Sequence, residues 1–177
     1  MEAFDVDGIM KTFSVIVDTR EQDTPRARVR YQGFGVPFEK ATLRFGDYCG
    51  QVTLPEGKLY DTSATVQADC VVERKMSLDE LAMCFTRERS RFKREFERAH
   101  DNGSRIYLLV ENASWEAILE HRYRSRFRPE AFIASLLAWT VRYEMVPVFC
   151  RADTSGRVIR EILYREMKAK LEGGAYG

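Results

Sequence analysis

Short apolar runs that end in charged residues recur along the first half of the chain. The run at 13–17 stops at Asp18, the segment 41–50 carries Asp47, and the segment 65–75 ends in Glu-Arg-Lys. Apolar runs of this length, bounded by polar residues, are typical of buried strands. We therefore predict three strands here, each of which brings acids to or near its end.

The residues around these strands predict turns and loops. Prolines, glycines and several arginines predict a loop over 22–37, and Pro55 and Gly57 predict a hairpin turn between short strands. Residues 1–12 predict a loose N-terminal lead-in, and residues 171–177 predict a flexible tail.

Helical periodicity dominates after the third strand. Ser77 and Glu80 form the S-x-x-E pattern of a capping box, and apolar residues then recur at helical spacing to about residue 100. Pro129 suits the first turn of another helix. The remaining predicted elements are strands over 105–111 and 146–150, a short helix over 114–123, and longer helices over 129–143 and 155–170. This order predicts an α/β fold, a mixed β-sheet flanked by helices, in one domain over 13–170.

Composition bounds the class of protein. The chain has 177 residues, 45% of them hydrophobic, which is enough to build the core of one domain. No stretch approaches the roughly 18 consecutive apolar residues of a membrane span, and the N-terminus lacks a signal-peptide pattern. We expect no membrane partner and an intracellular location, either bacterial or phage-infected cytoplasm or a eukaryotic nucleus.

The cysteines and histidines do not have the spacing of a zinc site. They are Cys49, Cys70, Cys84, Cys150, His100 and His121. We expect the thiols to be reduced and mostly buried.

Arginine clusters are more informative than the net charge of +1, which comes from 28 basic and 27 acidic residues. The segment 122–128, RYRSRFR, contains no acid, and its rings Tyr123 and Phe127 are of a kind that stacks on bases. We predict DNA contacts from its four arginines, Arg122, Arg124, Arg126 and Arg128. The alternative is that the rings pack inward and the arginines are merely solvated.

The predicted helix after residue 77 carries further arginines on one face. Arg87 and Arg91 lie nearer its start, where they are candidates for contacts with DNA phosphates. The alternative is a solvated face with ion pairs such as Arg91–Glu95. For Arg94 and Arg98 we favour the solvated interpretation.

The charged strand ends suggest a metal-dependent site. In a strand, residues i and i+2 share a face, so Glu73 and Lys75 are neighbours and Arg74 lies on the opposite side. Asp79 falls in the first turn of the capped helix. If the strand ends meet, carboxylates without histidine or cysteine suit a hard cation such as Mg²⁺, which leaves room for phosphate oxygens. Each acid taken alone is equally explained as a turn or cap residue.

Three motifs resemble one known family. IVDTREQ at 16–22, LRFGDY at 43–48 and VVERKMSLDEL at 71–81 resemble the XPF-type nuclease domain of the XPF and Hef structure-specific endonucleases. The resemblance continues to about residue 165. It implies a restriction-endonuclease-like fold, Mg²⁺- or Mn²⁺-dependent cleavage of branched, flap or fork DNA in repair or recombination, and a homodimer.

The resemblance also implies roles for single residues. Asp47 and Glu73 match direct metal ligands, Lys75 matches the catalytic lysine, and Asp18 is a further candidate ligand. The other residues match a charged shell that positions metal, lysine and phosphate. They are Asp18, Arg20, Glu21, Arg74 and Asp79.

The chain departs from the family in its extent. It lacks the helix-hairpin-helix module and the helicase that many members carry, so a partner protein that presents the DNA is an alternative to independent action. A second alternative is a non-catalytic DNA-binding or dimerisation module on the same fold, although the intact acids and lysine argue against it. Apolar residues of the last two helices are candidates for a dimer interface or for the core. They are Phe132, Leu136, Leu137, Ile159, Leu163 and Met167.

Overall fold

The computed structural model describes residues 5–60 and 70–173, which form seven strands and seven helices. The strands are β1 (Ser14–Asp18), β2 (Phe38–Ala41), β3 (Tyr48–Thr53), β4 (Leu59–Tyr60), β5 (Cys70–Lys75), β6 (Arg105–Glu111) and β7 (Val146–Cys150). The helices are α1 (Val6–Met10), α2 (Pro25–Gly33), α3 (Leu78–Phe85), α4 (Arg89–Asp101), α5 (Trp115–Leu119), α6 (Pro129–Tyr143) and α7 (Ser155–Glu172). Residues 65–69 of the third predicted strand lie outside the described residues.

The strands form one mixed sheet in the order β2-β1-β3-β5-β6-β7, with β4 paired to β3. Strand β3 runs antiparallel to both β1 and β5, whereas the outer pairs β1–β2, β5–β6 and β6–β7 are parallel. Tyr48, the first residue of β3, pairs with Val17 on one side and Val72 on the other. The beginning of β3 therefore lies beside the ends of β1 and β5.

This topology corrects the predicted position of Asp47. The segment 42–47 is a connection and not a strand, so Asp47 immediately precedes β3 instead of ending a strand. Because β3 runs in the opposite direction to its neighbours, Asp47 still lies at the same sheet edge as Asp18 and Glu73. The backbone carbonyl of Asp47 accepts a hydrogen bond from the Asp18 amide at 2.8 Å.

Helices cover both faces of the sheet, as predicted. Ile16, Val71 and Leu108 point into a core with α3, α4 and α6. Their strand neighbours, such as Val17 and Val72, point into a second core with α1, α2 and α7. Consecutive strand residues alternate between faces, so Glu73 and Lys75 belong to the α3/α4 face and Arg74 to the α2/α7 face.

The helix predicted from 77 to about 100 is divided into α3 and α4. Ser77 caps its start as predicted, since its hydroxyl accepts from the Glu80 amide at 3.2 Å, whereas the Glu80 carboxylate accepts from the Met76 amide at 2.7 Å and not from Ser77. The break follows Phe85, where the amides of Thr86 and Glu88 both donate to the Met83 carbonyl. The Thr86 hydroxyl donates to the Ala82 carbonyl and satisfies a further group of the last turn.

The loop predicted over 22–37 contains helix α2, so that prediction was wrong. Thr24 caps this helix by accepting from the Ala27 amide at 3.1 Å, and Pro25 stands in the first turn. Because this segment contains several arginines, its sequence lacks the apolar stripe by which a helix is recognised, although one of those arginines, Arg30, is buried in the structure. Helix α1 likewise lies inside the predicted lead-in and packs Ile9 and Met10 into the second core.

Several other predictions are confirmed. Helix α6 has its predicted bounds, and β3 and β4 form the predicted hairpin, in which Gly57 adopts a positive φ of 75°. The four cysteines, all within the described residues, form no disulfide with one another; three are buried and Cys150 is partly buried.

Across residues 5–60 and 70–173, no helix is long and apolar enough to cross a membrane.

Candidate active site

A small cavity opens where the start of β3 meets the end of β5. Its volume is about 150 Å³. Asp47, Glu73 and Lys75 line it from the sheet, and Arg20 lines it from the turn after β1. The remaining walls come from Cys84 in α3 and from Glu88, Arg91, Phe92 and Glu95 at and in α4. The structure thus brings together five of the sequence-predicted site residues, which are Arg20, Asp47, Glu73, Lys75 and Arg91.

Lys75 and Glu73 form a buried ion pair at the base of this cavity. The Lys75 ammonium donates to Glu73 Oε1 at 2.7 Å, and the residues are 9% and 5% exposed. Burial acts to lower the pKa of Lys75, but the charges of Glu73 and neighbouring groups outweigh it and raise that pKa well above its ordinary value. The Phe92 ring lies 5.0 Å from the ammonium and supports the same charged form.

Asp47 has fewer compensating contacts. Its Oδ2 accepts from the Arg74 amide at 2.7 Å. Burial, with the nearby charge of Glu73 adding to it, raises the pKa of Asp47 well above its ordinary value. Burial also raises the pKa of Glu73, although Lys75 acts in the opposite direction. Two carboxylates therefore share the cavity with a single buried lysine.

Helix α4 contributes a carboxylate that the sequence did not reveal. Arg91, which the sequence suggested as a partner of Glu95, pairs instead with Glu88 at 3.3 Å. Glu95 is half-buried and lines the cavity, and its charge acts to raise the pKa of Glu73. Its position on the helix looked like a solvated face, so no sequence signal marked it.

The donor set fits a hard divalent cation. Mg²⁺ typically takes one or two carboxylates from a protein and keeps several waters, and Asp47 and Glu73 provide that number. The charge imbalance in the cavity also favours a cation. Within residues 5–60 and 70–173, no group of three or more acidic, histidine or cysteine side chains is close enough to form a complete metal cage.

Asp18 is fully hydrogen-bonded outside this donor set. Its Oδ1 accepts from the Arg20 amide at 2.8 Å and from Arg20 Nε at 2.6 Å, and its Oδ2 accepts from the Leu43 amide at 2.7 Å. Burial acts to raise the pKa of Asp18, but these hydrogen bonds lower it overall. Asp18 is completely buried and does not line the cavity, so its geometry suits the orientation of Arg20 better than metal ligation.

The Arg74 side chain points to the opposite face of the sheet. Its Nε and Nη2 each donate to the Glu111 carboxylate at 2.9 Å. Arg30 of α2 donates to the same carboxylate at 3.3 Å. Burial acts to raise the pKa of Glu111, but the bonds from Arg74 and Ser155 lower it overall. Glu111 ends β6, so an acid at a strand end was its only sequence signal.

Glu21 joins this same network and not the cavity. Its Oε2 accepts from the Tyr48 hydroxyl at 2.7 Å and from Arg30 Nη2 at 3.2 Å. The Tyr48 hydroxyl also accepts from Arg30 Nε at 2.8 Å. We call Glu21, Arg30, Tyr48, Arg74 and Glu111 the arginine–carboxylate network.

Asp79 holds a distant segment in place. Its Oδ1 accepts from the amides of Arg124 and Ser125 at 2.8 and 2.7 Å. The segment 122–128 is thereby attached to the first turn of α3, four residues after Lys75. Asp79 itself does not line the cavity.

The segment 122–128 alternates between exposed and half-buried side chains. Tyr123 and Phe127 pack on Phe132, with ring centroids 5.3 and 5.1 Å away, so these rings pack inward. All four arginines point outward, and three of them have acids nearby. These pairs are Arg122–Glu120 at 3.0 Å, Arg124–Asp79 at 3.7 Å and Arg128–Glu130 at 3.5 Å.

Comparison with known proteins gives the family and the fold. The ERCC4 domain model matches residues 17–159, and the family indicated by the three motifs is thereby confirmed. No curated protein matches the chain. The structure resembles XPF from Aeropyrum pernix, with 23% identity, a TM-score of 0.60, and coverage of 91% of this chain and 63% of that one. It also resembles XPF from Aeropyrum pernix in complex with DNA, with 22% identity, a TM-score of 0.59, and coverage of 88% of this chain and 65% of that one.

Proposed function

This chain belongs to the ERCC4 domain family, and on that premise we propose that it is a divalent-metal-dependent DNA endonuclease. The observation that carries the proposal is the cavity in which Asp47 and Glu73 share one buried lysine, Lys75. The proposed substrate is branched, flap or fork DNA. The chain spans less than two thirds of the XPF structures that it resembles, so this activity is argued from its own cavity.

Asp47 and Glu73 would hold the ion, with Glu95 facing it from α4. When bound, Mg²⁺ or Mn²⁺ supplies Lewis-acid polarisation of the scissile phosphate. Asp18 is proposed as a positioning residue for Arg20 and not as a ligand, because both of its oxygens are occupied. The sequence also made Asp18 a candidate metal ligand, and this proposal replaces that role while keeping Asp18 in the charged shell.

Lys75 would act as a fixed positive charge. Its ammonium is held by Glu73 at 2.7 Å on the cavity wall, where it can stabilise negative charge that develops on the phosphate. Arg20 reaches the same cavity from its anchor on Asp18 and would bind a phosphate oxygen. Phe92 and Cys84 line the cavity from α4 and α3.

The arginine–carboxylate network would set the position of Asp47. The Arg74 side chain is fixed by Glu111, and the amide of the same residue donates to Asp47 Oδ2 at 2.7 Å. Glu21 and Arg74 are thus proposed as supporting residues that do not touch substrate.

The XPF–DNA complex supports DNA as the ligand of the exposed arginines.

A homodimer remains a proposal. Five of the six interface candidates are buried in the two cores, and only Leu137 is exposed, at 47%. On the same helix, Val141 is 82% exposed. The solvent-facing side of α6 is therefore the surface to test for self-association, for example by sedimentation of Leu137→Glu and wild-type protein.

Cleavage of labelled DNA tests the function directly. Duplex, flap, fork, four-way-junction and single-stranded substrates are incubated with Mg²⁺, Mn²⁺ or EDTA. We expect metal-dependent cutting by wild type, loss of cutting in Asp47→Ala and Lys75→Ala, and normal cutting in Lys93→Ala. Lys93 is a matched control because it pairs with Glu97 on the outer side of α4.

Failure of well-folded wild type to cut any of these DNAs would contradict the proposal. Cutting restored by a protein co-purified from the native host would then favour the partner-dependent alternative. Persistent absence of cutting together with DNA binding would favour the non-catalytic module.

A further inference from the structure

A groove lies beside the active-site cavity, between the last turn of α3 and the segment 122–128. Its volume is about 780 Å³. The residues that line it include Met83, Arg87, Arg126, Phe127, Arg128 and Ala131. We call it the arginine groove.

The arginine groove and the cavity share one wall. Met83 lines the groove and the next residue, Cys84, lines the cavity. In the same way, Arg87 lines the groove and Glu88 lines the cavity. Consecutive Cα atoms are only about 3.8 Å apart. The chain over 83–88 therefore forms the wall between the groove and the cavity. A ligand in the groove would lie close to a phosphate bound in the cavity.

The groove has an apolar floor and a basic rim. Met83 is 40% exposed on the floor, beside the half-buried Phe127 and the exposed Ala131. Arg126 and Arg128 stand on the rim. Within the described parts of the chain Arg126 has no ion pair, and Arg128 has only a solvent-exposed one at 3.5 Å. The acid in the lining, Asp79, already accepts from two backbone amides.

This combination matches an anionic chain with accessible apolar faces. Single-stranded DNA has both, because its phosphates are negative and its unpaired bases expose their faces. A duplex stacks those faces internally and presents mainly phosphates and base edges, which leaves an apolar floor without a partner. We propose that the arginine groove binds the unpaired strand of a branched DNA next to the cavity. This inference rests on the proposed function.

Asp79 is the positioning residue of this groove. Its Oδ1 accepts from the amides of Arg124 and Ser125, and its own backbone lies in the first turn of α3, four residues after Lys75. The rim is thereby fixed at a set distance from the cavity. Asp79 thus sets the position of the rim relative to the cavity and, through the rim, where a bound strand would be cut.

Binding without cleavage tests the basic rim. Fluorescence anisotropy in EDTA is measured with labelled oligothymidylate and with a blunt duplex of the same length, over a range of salt. For Arg126→Ala/Arg128→Ala we expect weaker binding of the single strand and a slope of log K against log salt that is smaller by about 1.4, at about 0.7 per lost phosphate contact. The matched control is Arg94→Ala/Arg98→Ala, which removes equal charge from exposed positions on α4 and should leave the slope unchanged.

Met83→Gln tests the apolar floor separately from charge. Met83 is exposed, so the substitution leaves the core intact. We expect weaker binding of oligothymidylate with unchanged duplex binding and an unchanged salt slope. Equal losses for single strand and duplex, in this variant or in the double-arginine variant, would overturn the assignment to an unpaired strand.

Two substitutions of Asp79 test its positioning role on a flap substrate with metal. Asp79→Ala removes the acceptor, so KM should rise and the cut sites should spread while kcat is retained. Asp79→Asn keeps an oxygen at the same place and should restore wild-type behaviour. A metal or catalytic role predicts the opposite, with kcat falling in both variants, and that result would overturn the inference.

The two proposals fail in distinguishable ways. Cutting by wild-type protein that has no affinity for oligothymidylate would reject the groove and leave the nuclease standing. Binding that depends on the groove, in a protein that never cuts, would reject the nuclease and leave the groove standing.

Discussion

Two groups of acids lie on opposite faces of the sheet and differ in their electrostatic balance. On the α3/α4 face, Asp47 and Glu73 share one buried lysine, Lys75, and the pKa values of both acids are raised. On the α2/α7 face, Arg74 holds Glu111 with two hydrogen bonds, and the pKa of that acid is lowered. Burial acts in the same direction on both faces, so the number and geometry of the donors make the difference.

The comparison separates a site from its support. A carboxylate with a complete set of donors has nothing left to offer a ligand, which describes Glu111 and also Asp18 with Arg20. A carboxylate with too few donors carries unbalanced charge, which a divalent cation would neutralise. Whether an acid at a strand end can bind a ligand therefore depends on the hydrogen-bond donors that already surround it, and not on its residue type or its burial.

Removing the fully paired acid should give the largest effect on stability. Glu111→Gln leaves Arg74 and Arg30 with a neutral partner in a buried position, and the free energy of unfolding should fall by about 3–5 kcal/mol. Urea denaturation in EDTA measures it. Glu120→Gln is the matched control, because its pair with Arg122 is exposed and its loss should not change the midpoint measurably. Equal midpoints for Glu111→Gln and wild type would remove the distinction between the two faces.

Removing an acid from the other face should have opposite effects on activity and stability. Asp47→Asn keeps an acceptor for the Arg74 amide but removes one of the crowded charges. We expect metal-dependent cleavage to fall by about 10²–10³-fold, and the metal-free protein to gain about 1 kcal/mol of stability. Cleavage assays and urea denaturation in EDTA check the two parts. A clear loss of stability would show that Asp47 is already well paired.

The arginine–carboxylate network offers a matched pair of tyrosine substitutions. The buried Tyr48 hydroxyl bridges Glu21 and Arg30, so Tyr48→Phe should cost about 1–3 kcal/mol. The Tyr31 hydroxyl is also buried but has no hydrogen-bond partner within the described residues, so Tyr31→Phe should be neutral or slightly stabilising. Thermal unfolding of the two variants compares them directly. A larger loss of stability in Tyr31→Phe than in Tyr48→Phe would mean that the Tyr48 hydroxyl does not make the hydrogen bonds described above.

Acid pH should act on the paired face. The pKa of Glu111 in the folded protein lies below its ordinary value of 4.5, so its stabilising contribution is complete above that value and is lost as pH falls through the lowered pKa. The free energy of unfolding of wild type should therefore fall more steeply with acid than that of Glu111→Gln. Asp18 shifts in the same direction, so the variant should keep part of the slope. If the free energy of unfolding fell equally with acid in wild type and in Glu111→Gln, that result would contradict the lowered pKa of Glu111.

The sequence was sufficient to predict that Asp47, Glu73 and Lys75 lie together, although it did not reveal Glu95 in the same cavity. Alternation along VVERK placed Glu73 with Lys75 and Arg74 on the opposite face, which is the arrangement found. The family match covers these motifs, and the mixed α/β sheet was also expected. The alternation along this strand and the cap of α3 are local features, because each depends only on residues that are close together in the sequence.

The arginine–carboxylate network could not be predicted in the same way. Arg30 and Glu111 are 81 positions apart, and their contact exists only because α2 packs on the face opposite the cavity. A buried arginine also violates the apolar pattern by which a helix is recognised, and α2 was missed for that reason. Long-range polar pairs inside a core leave little trace in hydrophobic periodicity.

Asp79 illustrates a different limit. Its place in the motif suggested the active site, and its position in the first turn of α3 was correctly expected. Its acceptor bonds, however, go to a segment more than forty residues later, whose aromatic rings pack inward on Phe132. Motif spacing gave the location of the side chain but not the direction of its hydrogen bonds.

The order of the strands in the sheet has a consequence for how the protein is made. The cavity combines Arg20 with Glu95, and β5 gains its outer neighbour only when β6 has been synthesised. A nascent chain that has not yet emerged beyond residue 111 therefore lacks the strand that supports one side of the cavity. Binding of a ligand in the cavity should accordingly require that most of the chain has left the ribosome.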